Sequence, residues 1–257
     1  MEKETKGKFK TDIRGFDELF QEGVPEGNSI LVEGGPGSGK TLFCLHLANN
    51  LCKKGKKVLY MSFEEREDRL RSHMKAFGWT PEVYERKGTL MLRRFNALDV
   101  ARSVEALLSE AKRELLIDIQ PVLIPKGFDP DIVCIDSLSS IASAFSGEEA
   151  RFRVYMEQLF RNLEKNNTTS FLIRETCNPA HIGLNISDTG GAVSFLSDGI
   201  IVLYNIVYSN GTRARGIEVL KMRGEDIDRR IVEAKIVDKK GFVVYPDMQL
   251  EGEYKMT

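Results

Sequence analysis

Residues 34–41 read GGPGSGKT and fill the pattern GxxxxGK(S/T) through Gly34, Gly39, Lys40 and Thr41. Glycines at 34, 35, 37 and 39 let a backbone turn through positive φ and approach a polyphosphate, so that successive N–H groups converge on its oxygens. Lys40 adds a mobile point charge for the β- and γ-phosphates, and the Thr41 hydroxyl stands where it can ligate Mg2+. The P-loop set that follows is Gly35, Pro36, Gly37, Ser38, Gly39, Lys40, Thr41 and Leu42. Far along the chain, Asp136 ends the apolar run IVCID, where parallel sheets gather their ligand sites. It has the form of a Walker B carboxylate, holding Mg2+ through a water from the side opposite Thr41. Glu64 and Glu65 end the run KVLYMSF; alone, such a pair equally suits the acidic first turn of a helix.

These groups need a scaffold. The short apolar run NSILVE precedes the glycine loop, and apolar residues at 42, 43, 45, 47, 48 and 51 follow it at helical spacing. Strand, loop and helix in that order point the helix dipole at the anion site. Further strands are predicted at 57–62, 89–93, 132–136, 171–174 and 199–204, with helices at 65–77, 100–116 and 148–165. The tail alternates through ARGIEVLKM, RIVEAKIV and GFVVY, the pattern of antiparallel strands. The expectation is an α/β fold: a mainly parallel central sheet flanked by helices, closed by antiparallel C-terminal strands. Residues 1–10 are expected as a flexible arm, 11–250 as a single domain and 251–257 as a tail. The proline-bearing stretch 117–130 reads as an exposed connection, and the Gly-rich stretch 177–192 as a loop that changes with ligand or partner.

Composition narrows the class without naming a partner. At 257 residues the chain suits one large α/β domain, and 37 Lys plus Arg against 38 Asp plus Glu leave no global basic field for nucleic acid. Neither a membrane-length apolar run nor a signal-peptide core is present, so a cytoplasmic protein without membrane insertion is expected. Cysteines at 44, 52, 134 and 177 have no CxxC spacing, and histidines at 46, 73 and 181 are scattered, which points away from zinc and disulfides.

With GGPGSGKT, SFEE and IVCIDSL in order, the chain resembles the KaiC-like branch of the RecA superfamily. TDIRGFDELFQEGVPEG, the stretch around HMKAFGW, SDGIIVL, KMRG and DKKGFVVYP carry the resemblance from about Thr11 to Pro246. It implies ATP as the nucleotide, with Mg2+, and a P-loop ATPase with Glu64 as catalytic base and Glu65 assisting. Lys40, Thr41 and Asp136 become the phosphate and metal residues. The family forms homo-oligomeric rings, commonly hexamers, with ATP between subunits, which implies that Lys221 and Arg223 act in trans on a neighbour's γ-phosphate. A guanidinium and an ammonium together suit the charge spread over that group.

Departures limit what carries over. The clock protein of this branch has two such domains in tandem and this chain one, so clock function is not implied. Gln21 and Glu22 stand where glycines are usual before the P-loop strand, and Ser194 is followed by Phe195 in place of adjacent Ser and Thr phosphoacceptors, which argues against autokinase activity. The leading reading is a slow ATPase whose ATP state controls ring assembly or the binding of an unknown protein partner. A RadA-like DNA-binding protein and a nucleotide-sensing scaffold with little turnover are the alternatives. For weak nucleic-acid binding Arg213 and Arg215 supply charge, whereas the stretch 177–192 holds no Lys or Arg.

Overall fold

The computed structural model describes residues 7–111, 124–176, 189–250 and 252–256. The chain opens with β1 (Lys8–Phe9), a 3-10 turn at Asp17–Leu19 and β2 (Val24–Pro25), then runs β3 (Ser29–Gly34), α1 (Lys40–Lys53) and β4 (Val58–Ser62). Next come α2 (Glu67–Ala76), α3 (Pro81–Arg86), β5 (Leu90–Arg94), α4 (Ala97–Ala111) and β6 (Ile132–Asp136). Then follow α5 (Leu138–Ala144), α6 (Glu149–Lys165), β7 (Thr169–Glu175), α7 (Thr189–Leu196) and β8 (Gly199–Tyr208). The antiparallel strands β9 (Arg213–Met222), β10 (Val232–Val237), β11 (Gly241–Gln249) and β12 (Tyr254–Met256) complete it.

Strands β3 to β12 make one 10-stranded sheet in the order β11-β10-β9-β8-β3-β7-β6-β4-β5, with β12 on β8. From β5 to β8 every pairing is parallel, and from β8 to β11 every pairing is antiparallel. Alternation within β3 sends Ile30 and Val32 into one apolar cluster with α1 and Leu31 into the other with α5 and α6. Burial on both faces is why these strands are continuous apolar runs in the sequence.

The expected fold class is present, and its departures have local causes. Helix α4 begins at Ala97, ahead of the expected 100, because Asn96 Oδ1 accepts the Leu98 N–H (3.1 Å) at the helix start. Residues 189–192, expected as loop, open α7: the Gly190–Gly191 pair opposes helix by propensity, and packing of α7 on α6 overrides it. In the supposed exposed connection, residues 124–130 are irregular but Phe128 is buried in the second cluster. Residues 117–123 and 177–188 lie outside the described residues, Cys177 and His181 among them. Lys8 and Phe9 of the expected arm pair with Pro25 and Val24, and Tyr254–Met256 of the expected tail pair with β8. Among the described residues no helix is long and apolar enough to cross a membrane.

Candidate nucleotide site

The parallel register β3–β7–β6–β4 sets the C-terminal residues of these strands side by side: Gly34 faces Glu175, and Ser62 faces Asp136. At Gly34 the chain leaves β3 so close to its neighbour that a Cβ would stand 2.3 Å from the Leu203 carbonyl oxygen and 2.7 Å from Ser38 Oγ. Only glycine fits. The loop beyond is tied to the sheet by Asn205 Nδ2, which donates to the Pro36 carbonyl (2.9 Å), and by Arg215, whose guanidinium reaches the Gly37 carbonyl at 3.5 Å. Helix α1 then starts at Lys40 after Gly39 at φ 104°, aiming its first N–H groups toward the loop.

Lys40 is buried and donates to the carbonyls of Gly34 and Gly35, both at 2.9 Å, with Glu175 Oε1 at 3.6 Å from Nζ. Burial lowers its pKa, opposed by the carboxylates of Glu175, Asp136 and Glu64. Asp136 accepts from Thr41 Oγ1 (2.8 Å) and from the buried Tyr60 hydroxyl (2.7 Å). Desolvation pushes the Asp136 carboxyl up, the two hydroxyl donors pull it down, and the nearby Glu64 and Glu65 charges push it up again. Burial, with the Asp136 charge beside it, raises the Tyr60 hydroxyl well above its ordinary value, so Tyr60 stays a donor.

Glu64 Oε1 accepts from Ser137 Oγ (2.6 Å) and Ser140 Oγ (2.8 Å), which holds this carboxylate beside Asp136. Glu65 turns toward α2, where Arg69 and His73 lie at 3.6 and 3.5 Å from its Oε2. Its backbone N–H donates to Ser62 Oγ (2.9 Å). Helix α2 opens only at Glu67, so Glu67 and Asp68 fill its acidic first turn, and Glu64 and Glu65 stand before it, lining the site. A cavity of about 340 Å3 runs from Gly37 and Lys40 past Glu64, Asp136 and Glu175 to His73 and Phe77 on the α2 side. Among the described residues no cluster of three or more His, Cys, Asp or Glu forms a self-sufficient metal cage. The hard oxygens of Thr41 and Asp136, in contact beside the P-loop, fit Mg2+, which takes one or two protein ligands and completes its shell with phosphate and water.

Lys221 and Arg223 lie elsewhere. Gly199 faces Ile30 on one side and Met222 on the other, whereas Leu203 faces Gly34 and Ile217, so these cations sit about 13 Å along the strands from the P-loop. Lys221 Nζ donates to the carbonyls of Ser194 (3.1 Å) and Ser197, and Arg223 to that of Phe195 (3.0 Å) and to Asp198 Oδ1 (3.2 Å). They cap the C-terminal turn of α7 at the end of the sheet opposite their own P-loop. Burial lowers the Lys221 pKa, with the Arg223 charge adding to it.

Several site neighbours escape motif reading. Tyr60 and Asn205 are polar tips inside apolar runs, LYM and YNI, and that interruption is their only signal. Glu175, Ser137 and Ser140 enter the site only through strand register and the turn into α5.

Comparison with known proteins bears on the family and the fold. The KaiC ATPase family model matches residues 9–249. The UPF0273 protein PH0284 of Pyrococcus horikoshii is 30% identical over 249 residues, 95% of this chain and 96% of that protein. Circadian clock protein KaiC3 of Synechocystis sp. is 28% identical over 264 residues, covering 100% of this chain and 50% of that longer protein. Among solved structures, the KaiC-like protein PH0186 of Pyrococcus horikoshii superposes with a TM-score of 0.74 at 28% identity, over 94% of this chain and 100% of that one. With a RecA-like sheet, a P-loop on β3 and a family match along nearly its whole described length, the chain belongs to the KaiC family of ATPases.

Proposed function

We propose that the protein binds ATP with Mg2+ between subunits of a homo-oligomeric ring, hydrolyses it slowly, and uses the ATP state to control assembly or the binding of a protein partner. One observation carries this reading: Lys40, Thr41, Asp136 and Glu64 converge at one end of the sheet, while Lys221 and Arg223 sit at the other. A single subunit thus has a phosphate cradle at one end and two cations suited to a γ-phosphate at the end its own cradle cannot reach. A ring joins the two ends.

In that site Thr41 and Asp136 hold the metal, whose chemistry is to neutralise charge developing on the β- and γ-phosphate oxygens. Tyr60 orients Asp136 through its hydroxyl hydrogen bond. Glu64, restrained by Ser137 and Ser140, accepts a proton from an attacking water, with Glu65 beside it. Lys221 and Arg223 of a neighbouring subunit face the γ-phosphate. Steady-state ATP turnover of Glu64→Gln tests the assignment: a general base contributes roughly 10²–10⁴-fold, so turnover falls by that order while nucleotide binding persists. Unchanged turnover would remove Glu64 from the chemistry.

A further inference from the structure

We propose that Glu175 is an internal competitor for Lys40: its carboxylate neutralises the P-loop ammonium in the empty site and must be displaced by the phosphates of an incoming nucleotide. The inference rests on the ATP-site reading above and adds a residue that sets affinity and the preference among nucleotides.

Register places Glu175 beside the first glycine of the loop, since Gly34 and Glu175 are direct partners in the β3–β7 ladder. Its backbone is fixed, because the Glu175 N–H donates to Ser139 Oγ (2.9 Å) at the start of α5. Its side chain is not: the Glu175 side chain is half exposed, at 50%, whereas the Lys40 side chain it faces is only 7% exposed. Around the Lys40 ammonium stand the carbonyls of Gly34 and Gly35, which accept its hydrogen bonds, and the Glu175 carboxylate, an ion-pair neighbour at 3.6 Å. An incoming phosphate oxygen takes the sector held by Glu175, because the carbonyls belong to the loop itself and the carboxylate alone can swing into water.

The local charge makes this competition consequential. The cavity wall carries the carboxylates of Glu64, Glu65, Asp136 and Glu175 against the single ammonium of Lys40, a formal charge of minus three. A polyphosphate entering this site meets like charge, and Glu175 is the carboxylate nearest to Lys40, the ammonium in the cavity wall. Within about 4–6 Å a like charge shifts such an equilibrium tenfold or more. The repulsion grows with the number of phosphates near Lys40, so it weakens ATP more than AMP.

Glu175→Gln keeps the side-chain shape and the N–H to Ser139 and removes the charge. Anisotropy titrations of the full chain with a fluorescent non-hydrolysable ATP analogue, competed with ADP and AMP at fixed Mg2+, read the effect without turnover. The expected result is roughly tenfold tighter binding of the ATP analogue, a smaller gain for ADP, and none for AMP, with an unchanged thermal midpoint. Unchanged or weaker binding of the ATP analogue in Glu175→Gln, or an equal gain for AMP, would overturn the inference and leave the ATP-site reading standing. Failure of the wild type to bind any of the three nucleotides would overturn both.

Discussion

Asp136 is a buried carboxylate that remains useful to a cation because two hydroxyls, from Thr41 and Tyr60, donate to it. Thr41 is part of the P-loop pattern and was legible in the sequence; Tyr60, also buried, belongs to an apolar strand and is brought to Asp136 by the β4–β6 register. Outer hydrogen-bond partners of metal-binding groups typically contribute 10–100-fold in metal affinity. Tyr60→Phe therefore raises the Mg2+ concentration needed for half-maximal binding of an ATP analogue by roughly tenfold, and leaves Mg2+-free nucleotide binding little changed. Titrating Mg2+ at fixed analogue checks this, and an equal loss with and without Mg2+ would mean a general packing defect. The same register explains why Glu64 was readable only as one of two alternatives. Its contacts with Ser137 and Ser140 come from the turn into α5, a helix the sequence reading did not resolve.

At the scale of elements, α1 must hold its N-terminus still beneath the phosphates, and its middle is fixed by an aromatic stack rather than by charge. His46 stacks on Trp79 at 4.8 Å, Trp79 on Phe77 at 5.2 Å, and the Phe242 N–H donates to His46 Nδ1 (3.2 Å). Gly241 permits the approach, since a Cβ there would lie 2.7 Å from Trp79 Cζ2 and 2.9 Å from His46 Nδ1. Burial, aided by the Lys53 charge, depresses the His46 pKa from 6.5 to about 4. Native His46 is thus neutral where an unfolded chain would already bind a proton. Its contribution is fully present above pH 6.5 and is lost as pH falls toward about 4, by roughly 3 kcal/mol at most. Urea midpoints measured from pH 7 to 4.5 should fall more steeply for the wild type than for His46→Asn, whose side-chain oxygen can still accept from Phe242. Parallel curves would remove His46 from the acid response.

For the whole molecule, the proposed ring would set the cradle of one subunit against the two cations of its neighbour and so make nucleotide binding and self-association reciprocal, each completing the other's site. Light scattering coupled to size exclusion, with Mg2+ and a non-hydrolysable ATP analogue, should give ring-sized particles for the wild type. Arg223→Ala should shift them toward single subunits. Arg223 is more than half exposed and its other contacts are to the α7 terminus, so the variant keeps the core intact. Single subunits in the wild type under every condition would remove the trans role of Lys221 and Arg223.

What the sequence determined by itself was whatever is written contiguously: the P-loop, the apolar strands closed by Glu64 and Asp136, the helix after Lys40, and an α/β class whose strands are buried on both faces. These are local, because a glycine spacing or a hydrophobic period is complete within a dozen or so residues. Tertiary structure alone decided which strands became neighbours, and hence that Glu175 stands beside Lys40, Tyr60 beneath Asp136, and Asn205 and Arg215 behind the loop. It also decided that Gly190 and Gly191 would be helical and that Lys221 and Arg223 would lie at the far end from their own phosphate cradle. Strand order and register are long-range pairings, set by how all the apolar faces are buried at once, and no stretch of the chain carries them alone.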